Sequence, residues 1–405
     1  MELDGRRIVL GITGGIAAYK ACEVARRLAK EGARVQAVMT NSATRFVTPL
    51  TLQALTGSPA RTDLWQDDGD GMPHISIARA ADAILVAPAS ANFLAGLAHG
   101  LAGDLLSSIA LARRASGCPL LVVPAMNVEM WEQPSTQRNV ATLRADGVHI
   151  LGPASGEQAC GEEGAGRMLE PGDIVAELIA RLQPQLLRGR RVLVTAGPTV
   201  EAIDPVRAIT NLSSGKMGYA LAQAAHEAGA QVTLVSGPTA LAPPFGVRRV
   251  DVTSARQMHE TVMPLADEAD VFLSVAAVAD WRPAAPSPEK RKKSPGGSPA
   301  PIELVENVDI LAAVAALPTP PMCVGFAAES GRLLESARAK LHAKGVALIV
   351  ANLVHETIGA DDAELVLVDR TSARPLARAA KLHQARKIIA EVARRLAPAP
   401  GAGTA

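Results

Sequence analysis

The segment Asn211-Leu-Ser-Ser-Gly-Lys-Met-Gly218 combines small residues with a lysine between an apolar run, Val192 to Ala196, and a helical pattern, Tyr219 to Ala228. At a junction between a strand and a helix, glycines let the backbone approach a ligand, N–H groups face it and the helix dipole favours negative charge. The segment therefore predicts an anion site. Since Ser-Gly turns are common, an ordinary turn without a ligand is about as good an interpretation of the segment alone.

A second junction of the same kind is Gly11-Ile-Thr-Gly-Gly15. It suits a phosphate, although a tight glycine turn without a ligand is an equal alternative. The pattern is not G-x-G-x-x-G, so it does not specifically indicate a dinucleotide. Two phosphate-binding loops in one chain suggest two linked activities.

Three further polar segments follow short apolar runs in the first half: Thr40-Asn-Ser42, Ala87-Pro-Ala-Ser-Ala-Asn92 and Pro124-Ala-Met-Asn127. Ligands of open α/β sheets bind outside the carboxyl ends of the strands, so these segments are expected to lie at one edge. Asn127 offers an amide that could hold a carbonyl or a carboxylate. By itself it also fits a turn.

Two other side chains are candidates for proton transfer. His74 stands in Met72-Pro-His-Ile-Ser76 and could act as a general base near neutral pH, although a lone histidine is more often structural. Cys160 lies in the glycine-rich segment from Ser155 to Arg167, which predicts a flexible flap. A cysteine on such a loop is a candidate proton donor or nucleophile, whereas Cys22, Cys118 and Cys323 are interpreted as structural.

Alternating strand-like and helix-like segments must position these residues. Short apolar runs between helical patterns predict parallel sheets covered on both faces. The predicted strands of the first half are Arg7 to Ile12, Val35 to Met39, Ala83 to Ala87 and Leu120 to Val123. The pattern restarts with predicted strands Arg191 to Ala196, Gln231 to Val235, Val271 to Val275, Met322 to Phe326 and Ala347 to Ala351.

The predicted fold class is α/β, with two tandem open doubly wound parallel-sheet domains. A boundary is predicted at Gln183 to Gly189, giving domains 1–188 and 189–397. Pro283 to Pro301 is rich in proline, serine and lysine and is interpreted as a loop or lid. The Pro/Gly/Ala tail, 398–405, is predicted to be disordered.

Composition excludes several classes of protein. The 405 residues suggest two or three domains. Lysine and arginine (41) balance aspartate and glutamate (40) and aromatics make up 2%, which argues against a nucleic-acid surface. The four cysteines form no C-x-x-C, so neither a zinc site nor a disulfide framework is indicated. Without a signal peptide or an 18-residue apolar run, a cytoplasmic protein with no membrane partner is expected.

The order of these motifs resembles a known enzyme family over nearly the whole chain. Gly11 to Gly15, Ala87 to Asn92, Pro124 to Trp131 and the Cys160 segment resemble the flavin-containing cysteine decarboxylases. The second half resembles phosphopantothenate–cysteine ligase. Together they are similar to the bacterial bifunctional coenzyme A biosynthesis enzymes, which implies a flavodoxin-like decarboxylase fold followed by a Rossmann-like ligase domain.

For the first domain the resemblance implies FMN-dependent decarboxylation of 4′-phospho-N-pantothenoylcysteine to 4′-phosphopantetheine. Oxidation of the cysteine thiol to a thioaldehyde provides an electron sink for loss of CO₂, and the enethiol is then reduced. His74 is implied as the base, Asn127 as a substrate ligand and Cys160 as the proton donor. The implied FMN contacts are Gly11, Thr13, Gly14, Gly15, Thr40, Ser90 and Asn92.

For the second domain it implies ligation of 4′-phosphopantothenate to L-cysteine with CTP and Mg²⁺ through an acyl cytidylate. A carboxylate does not react with an amine at neutral pH, so activation is chemically required. Asn211 is implied in the acyl-cytidylate step, Lys290 in the lid as a catalytic and CTP-binding lysine, and Asp280 near the metal. The implied phosphate contacts are Ser213, Gly215 and Gly218. The implied CTP contacts are Ser274, Val275, Ala276, Asp280, Lys290, Val308, Asp309, Ile310, Leu311, Phe326, Lys340 and Lys344.

The resemblance also implies a homo-oligomer, trimer-based and up to a dodecamer, with dimers of ligase domains. Without it, the lysines from Lys290 to Lys293 fit a solvated charge run, Lys340 and Lys344 an exposed helix face, and Asp280 a turn. Alternative functions are a chain with only one working half, a flavin- or nucleotide-binding regulatory protein, and an NAD(P)-linked oxidoreductase. The absence of G-x-G-x-x-G counts against the last of these.

Overall fold

The computed structural model divides into two compact units, Met1–Gln183 and Pro184–Ala405. It describes residues 1–65, 71–159, 161–292, 301–353, 357 and 359–397. The predicted tail, 398–405, and part of the predicted lid therefore lie outside the described residues. The predicted boundary between 188 and 189 falls just beyond the division at Gln183, in the second unit.

A five-stranded parallel sheet forms the first unit, in the order β2-β1-β3-β4-β5. Its strands are β1 (Arg7–Ile12), β2 (Arg34–Met39), β3 (Ala83–Ala89), β4 (Leu120–Pro124) and β5 (His149–Ile150). Every residue of β3 is buried, which explains its continuous apolar sequence. The carboxyl ends of β1, β3 and β4 thus meet at one edge of the sheet.

The helices of this unit are α1 (Ala18–Lys30), α2 (Pro49–Thr56), α3 (Pro73–Ala80), α4 (Ala91–Ala98), α5 (Leu105–Ala112), α6 (Val128–Glu132), α7 (Pro134–Ala145) and α8 (Pro171–Leu182), with a short 3₁₀ helix at Ala43–Arg45. Helix α1 buries Ala21, Val24 and Leu28, residues at helical spacing. Beyond the sheet, β6 (Ala154–Glu157) and β7 (Glu163–Arg167) pair as an antiparallel hairpin in the segment predicted to be a flap. Cys160, between them, lies outside the described residues.

The second unit contains an eight-stranded sheet in the order β12-β11-β8-β13-β16-β17-β18-β19. Its strands are β8 (Arg191–Ala196), β11 (Gln231–Ser236), β12 (Arg248–Asp251), β13 (Val271–Ser274), β16 (Met322–Glu329), β17 (Leu348–Leu353), β18 (Asp362–Val368) and β19 (Ala373–Ala380). Two small ribbons pair β9 (Val200–Ala202) with β10 (Ala208–Thr210) and β14 (Trp281–Pro283) with β15 (Leu304–Glu306). The helices are α9 (Lys216–Glu227), α10 (Ala255–Ala266), α11 (Ile310–Ala315), α12 (Leu333–Lys344) and α13 (Lys381–Leu396).

The predicted α/β class with parallel sheets is confirmed, but one edge of the second sheet is mixed. Strands from β12 to β17 are parallel, whereas β18 is antiparallel to both β17 and β19. The sequence of β19, Ala-Arg-Pro-Leu-Ala-Arg-Ala-Ala, lacks the β-branched residues typical of strands and was not predicted as one. No helix in the described part of the chain combines the length and apolar character needed to cross a membrane.

A cluster of arginines around Glu391 fixes α13. The Glu391 carboxylate is 7% exposed and accepts hydrogen bonds from Arg394 and Arg395 at 2.6 Å, with Arg374 at 3.3 Å. These interactions, led by the Arg394 hydrogen bonds and opposed by burial, lower the pKa of Glu391 to about 2. A group whose pKa falls on folding stabilises the fold above its unfolded pKa and loses that contribution as the pH falls.

We therefore expect Glu391→Gln to lower the free energy of unfolding of the C-terminal unit at pH 7 by about 1–2 kcal/mol, after allowance for solvent screening of the partly exposed arginines. The difference from the unsubstituted protein should shrink as the pH falls from about 4.5 towards 2. Urea unfolding of the full chain at several pH values measures it. Glu364→Gln, at an exposed position of β18, is the control with little effect at any pH. A difference for Glu391→Gln that does not depend on pH would contradict the argument.

Candidate active sites

A buried threonine joins two of the predicted ligand-binding segments of the first unit. The Oγ1 atom of Thr13 donates to the carbonyl of Pro88 at 2.9 Å and accepts from the N–H of Ser90 at 2.8 Å. Ser90 in turn caps α4 by accepting from the N–H of Phe93. The loops that follow β1 and β3 are thus locked together at the carboxyl edge of the sheet.

The loop between β1 and α1 offers unsatisfied donors. The amides from Gly14 to Ala17 have no hydrogen-bond acceptor in the part of the chain that the structure describes, and no side chain caps α1. Unpaired N–H groups at the start of a helix attract an anion such as a phosphate. The arrangement is compatible with the phosphate-bearing end of a flavin.

Two adjacent glycines of this loop differ in their surroundings. A Cβ atom at Gly14 would overlap the Cβ of Ser42 and lie 3.1 Å from its carbonyl carbon, whereas a Cβ atom at Gly15 meets nothing within 4 Å. Gly14 is therefore required for packing, and Gly15 borders open space. Gly11 also has a packing role, because a Cβ atom there would approach Leu106 to 2.5 Å.

We expect Gly14→Ala to lower the melting temperature and the flavin content of the purified protein together, because its methyl group displaces the loop at Ser42. Gly15→Ala should lower the flavin content while the melting temperature of the flavin-free protein is unchanged, because its methyl group enters only the space for the ligand. Thermal melting of flavin-stripped protein and absorbance of released flavin measure the two effects. Full flavin content in Gly15→Ala would show that this space holds no ligand.

The remaining predicted FMN residues, Thr40 and Asn92, follow β2 and β3 in the chain. Thr40 follows β2, donates its N–H to Ile12 at 3.0 Å and accepts from the N–H of Ala43 at 3.3 Å. Asn92 is exposed in the first turn of α4. Their contacts with a cofactor stay predictions.

His74 lies at the second position of α3, a short helix that sequence analysis did not predict. Its Nδ1 atom is buried and has no hydrogen-bond partner within the described residues. A buried polar atom without a partner is unfavourable unless a ligand or water satisfies it. His74 is therefore available to bond with a substrate.

Asn127 caps α6 and also contacts the β6–β7 hairpin. Its Oδ1 atom accepts from the N–H of Glu129 at 2.9 Å, and its Nδ2 atom donates to the carboxylate of Glu162. The hairpin is further bound through the N–H of Met126, which donates to the carbonyl of Gly166 at 3.0 Å. The amide donor of Asn127 is thus bound to a carboxylate. The predicted substrate would present the same kind of group.

In the second unit, Asn211 organises the predicted anion loop. Its Oδ1 atom accepts from the N–H of Ser213 at 3.2 Å, and its Nδ2 atom donates to the carbonyl of Ala277. Ser213 then accepts from the N–H of Gly215, whose φ of 76° suits glycine. Gly218 lets α9 approach β8, because a Cβ atom there would lie 2.5 Å from that of Ala196.

A cavity of about 190 Å³ opens beside this loop. Two lysines line its wall: Lys216, which belongs to the predicted anion segment, and Lys381, which sequence analysis did not single out. Lys381 is 8% exposed and donates to the carbonyls of Thr357 and Ala360, and burial lowers its pKa. Lys216 forms an ion pair with Asp361 at 2.6 Å. A lysine is usually solvated, so only the tertiary structure identifies Lys381 as a residue of this cavity.

A second cavity, of about 410 Å³, adjoins the first. Phe326 lines both, so the two form neighbouring parts of one region. Val275, predicted with the CTP residues, lines the smaller cavity beside Asn211. Lys290 is exposed and lines neither. The larger cavity is lined by the predicted CTP residues Ser274, Ala276, Asp280, Val308, Asp309, Ile310, Leu311, Phe326, Lys340 and Lys344.

Both lysines of α12 face the larger cavity and are tied to its wall. Lys340 donates to the carbonyl of Phe326 at 2.6 Å, and burial lowers its pKa. Lys344 pairs with Asp309. Burial alone would raise the pKa of Asp309, but this ion pair and the N–H of Ala312 lower it. The cavity wall therefore carries two ammonium groups that could contact phosphates, beside the carboxylates of Asp280, Glu306 and Asp309.

Buried threonines, which sequence analysis did not single out, hold the wall between the cavities. Thr195 accepts from the amides of Val275 and Ala276 at 3.1 and 3.3 Å, and Thr199 accepts from that of Ala279 at 3.0 Å. Their only sequence signal is a hydroxyl near the end of β8, in the strand for Thr195 and three residues beyond it for Thr199. No group of three potential metal ligands is found in the described ranges, so Asp280 would need phosphate oxygens or water to hold Mg²⁺.

Comparisons with known proteins assign the two compact units to two different families. Residues 1–183 match the family described as Flavoprotein, and residues 187–396 match the DNA/pantothenate metabolism flavoprotein C-terminal domain. The chain is 50% identical to the coenzyme A biosynthesis bifunctional protein of Vibrio parahaemolyticus, over 86% of this chain and 88% of the relative. It is 44% identical to that of Haemophilus influenzae, over 98% and 99%.

A crystal structure of the C-terminal domain of a coenzyme A biosynthesis bifunctional protein is 39% identical, with a TM-score of 0.45, and covers 52% of this chain and 98% of that domain. The two relatives match residues of both units at 44–50% identity. The chain belongs to the family of coenzyme A biosynthesis bifunctional proteins.

Proposed function

We propose that the C-terminal unit ligates 4′-phosphopantothenate to L-cysteine with CTP and Mg²⁺, and that the N-terminal unit decarboxylates the product with FMN to 4′-phosphopantetheine. As a member of its family the chain is a bifunctional enzyme with ligase and decarboxylase activities. The identity of the nucleotide, the metal, the flavin and the individual site residues is the proposal.

The observation that carries the proposal is the pair of cavities that meet at Phe326. Asn211 and its loop line one, and the lysines of α12 line the other. Transfer of a nucleotidyl group to a carboxylate requires two anions to approach each other. Adjoining cavities, each with its own donors, allow that approach.

We assign the smaller cavity to the phosphorylated acid and the larger one to the nucleotide. Ser213, Gly215 and Gly218 would receive the phosphate, and Lys340 and Lys344 would screen the triphosphate. Mg²⁺ would bind phosphate oxygens together with Asp280 and would neutralise charge on them. Asn211 would hold the substrate carboxylate or the activated acyl group beside Ala277, and cysteine's amine would then attack that acyl carbon.

In the N-terminal unit, the unpaired amides from Gly14 to Ala17 and the Thr13–Ser90 contact would hold FMN. When bound, this cofactor supplies the two-electron chemistry that makes the cysteine carboxylate able to leave. His74, with its unpartnered Nδ1, would accept a proton from the substrate. Asn127 would exchange the Glu162 carboxylate for that of the substrate, and Cys160, outside the described residues, is proposed to return a proton.

The test is a mass-spectrometric assay of the purified full chain with 4′-phosphopantothenate, cysteine, CTP and Mg²⁺. Formation of 4′-phosphopantetheine, CO₂ and CMP would support both halves. Accumulation of 4′-phosphopantothenoylcysteine after FMN is added would refute the proposed flavin site. The absence of CMP, with ATP substituting for CTP, would refute the nucleotide assignment. A cytoplasmic location and a trimer-based homo-oligomer stay predictions.

A further inference from the structure

A buried carboxylate joins the lysine-bearing segment to the hairpin that leads to Asn211. Asp204 lies in the turn between β9 and β10, and its side chain is fully buried. Its Oδ1 atom accepts from the amides of Val206 and Arg207, both at 2.9 Å. Its Oδ2 atom accepts from the N–H of Arg291 at 3.2 Å. One carboxylate therefore closes its own turn and holds a residue far along the chain.

Arg207 completes the connection. Its Nε atom donates to Oδ2 of Asp204 at 2.9 Å, and its Nη2 atom donates to the carbonyl of Arg291 at 2.8 Å. The hydrogen bonds from Arg207 hold the pKa of Asp204 well below its usual range, so the carboxylate is charged at neutral pH. Both backbone polar groups of Arg291 are thus bound, one by each member of this ion pair.

A further backbone contact secures the same segment. The N–H of Ser287 donates to the carbonyl of Ile203 at 2.9 Å, and the Ser287 hydroxyl donates to the carbonyl of Glu289 at 2.6 Å. Lys290 therefore stands between two attached residues, Ser287, which is bound to Ile203, and Arg291, which is bound to Asp204. On the other side, β10 ends at Thr210 and is followed directly by Asn211. The position of Lys290 is therefore coupled to that of Asn211 through one short hairpin.

We propose that Asp204 is a positioning residue of the ligase reaction, which fixes the backbone beside Lys290 so that this lysine reaches the nucleotide phosphates. The inference rests on the proposed function, because it acts through the CTP-binding role of Lys290. Lys290 itself is exposed and lines neither cavity, so its side chain would have to be ordered when it contacts a nucleotide. A fixed backbone reduces the conformational entropy that such a side chain loses on binding.

The central experiment is a double-substitution cycle on the full chain. Asp204→Asn preserves the shape of the side chain but removes the charge that Arg207 pairs with and presents an amide at Oδ2. We expect it to weaken CTP·Mg²⁺ binding and raise the KM for CTP about tenfold, since misplacement of a positioned group costs up to ~100-fold. The KM for cysteine and decarboxylation of supplied 4′-phosphopantothenoylcysteine should not change. In a Lys290→Gln background, Asp204→Asn should change CTP binding, measured by calorimetry, less than twofold.

Two further variants separate positioning from folding. Asp270→Asn is the matched control, because Asp270 also accepts from a backbone amide (Arg191, 2.7 Å) and an arginine (Arg190, 3.0 Å) but lies at the opposite end of β8. It should leave CTP affinity unchanged. Arg207→Lys, at a half-exposed side chain, should fold normally and weaken CTP binding as Asp204→Asn does. Lysine keeps the positive charge of Arg207 but lacks the guanidinium group that donates to both Asp204 and the Arg291 carbonyl.

The outcomes distinguish the two levels of the argument. Equal losses from Asp204→Asn with and without Lys290, or unchanged CTP affinity in folded Asp204→Asn and Arg207→Lys, would overturn the positioning role and leave the proposed function intact. If Lys290→Gln alone leaves CTP affinity and ligase rate unchanged, the proposed role of Lys290 fails, and the positioning role fails with it.

Discussion

Asn211→Asp should reduce the ligase activity by about 100-fold or more and leave the decarboxylase unchanged, by analogy with the loss of a preorganised donor in other active sites. The Nδ2 atom of Asn211 donates to the carbonyl of Ala277, and an aspartate there would set a carboxylate oxygen against that carbonyl. The added negative charge would also repel the carboxylate and the phosphates that we assign to the two cavities. The measurement is CMP formation, with decarboxylation of supplied 4′-phosphopantothenoylcysteine assayed in the same preparation.

Decarboxylation serves as the internal control, because it uses a separate compact unit of the same chain. Asn352→Asp is a matched control in the same cavity: it adds the same charge to the wall, but Asn352 lies on β17 and its Nδ2 atom donates to the hydroxyl of Thr357 and not to Ala277. It should reduce ligation less than Asn211→Asp. Equal losses from the two variants would mean that charge in the cavity, and not the hydrogen bonding of Asn211, controls the reaction.

The parts of these sites that follow strands were predictable. Thr13 and Asn127 each stand shortly after a strand of the parallel sheet, and parallel strands direct their carboxyl ends to the same edge. Asn211 instead follows β10, in the antiparallel ribbon that lies between β8 and α9 in the chain. The spacing of apolar residues is local information, so strands and helices such as β1 and α1 could be predicted from their own sequences. The resemblance then supplied a chemical role for each residue, which periodicity alone does not.

The parts that depend on distant contacts were not predictable. Lys381 begins a helix in a sequence that looks solvated, yet it is buried because the carbonyls of Thr357 and Ala360 surround its ammonium group. Thr195 looks like a β-branched residue of a strand, whereas its hydroxyl holds the wall between the cavities. The same is true of Asp204, whose partner at Arg291 is far away in sequence. Hydrogen bonds between remote segments leave no periodic signal.

The proposed sites of the two units are built in the same way. In each, a residue after a strand bonds across to a neighbouring loop: Thr13 to Pro88 and Ser90, and Asn211 to Ala277. Such cross-loop bonds fix the backbone amides before a ligand arrives, so less ordering is required on binding. We assign the loop that Thr13 fixes to the flavin and the loop that Asn211 fixes to the substrates of ligation. The likeness between the two sites is therefore one of construction, a hydrogen bond across two loops, and not of ligand.

His74→Asn should abolish decarboxylation while ligation proceeds, so that 4′-phosphopantothenoylcysteine accumulates in the complete assay. Asparagine retains a polar side chain of similar reach but cannot take up a proton near neutral pH, and loss of a positioned general base lowers rates by roughly 100- to 10,000-fold. The buried Nδ1 of His74 has no partner in the described ranges, so the substitution breaks no bond that the fold requires. The melting temperature and flavin content should therefore be retained.

His99→Asn, at the exposed end of α4, is the matched control and should decarboxylate normally. If His74→Asn instead loses flavin and activity together, the histidine supports the cofactor site and is not the base; if it decarboxylates at the normal rate, neither role is correct.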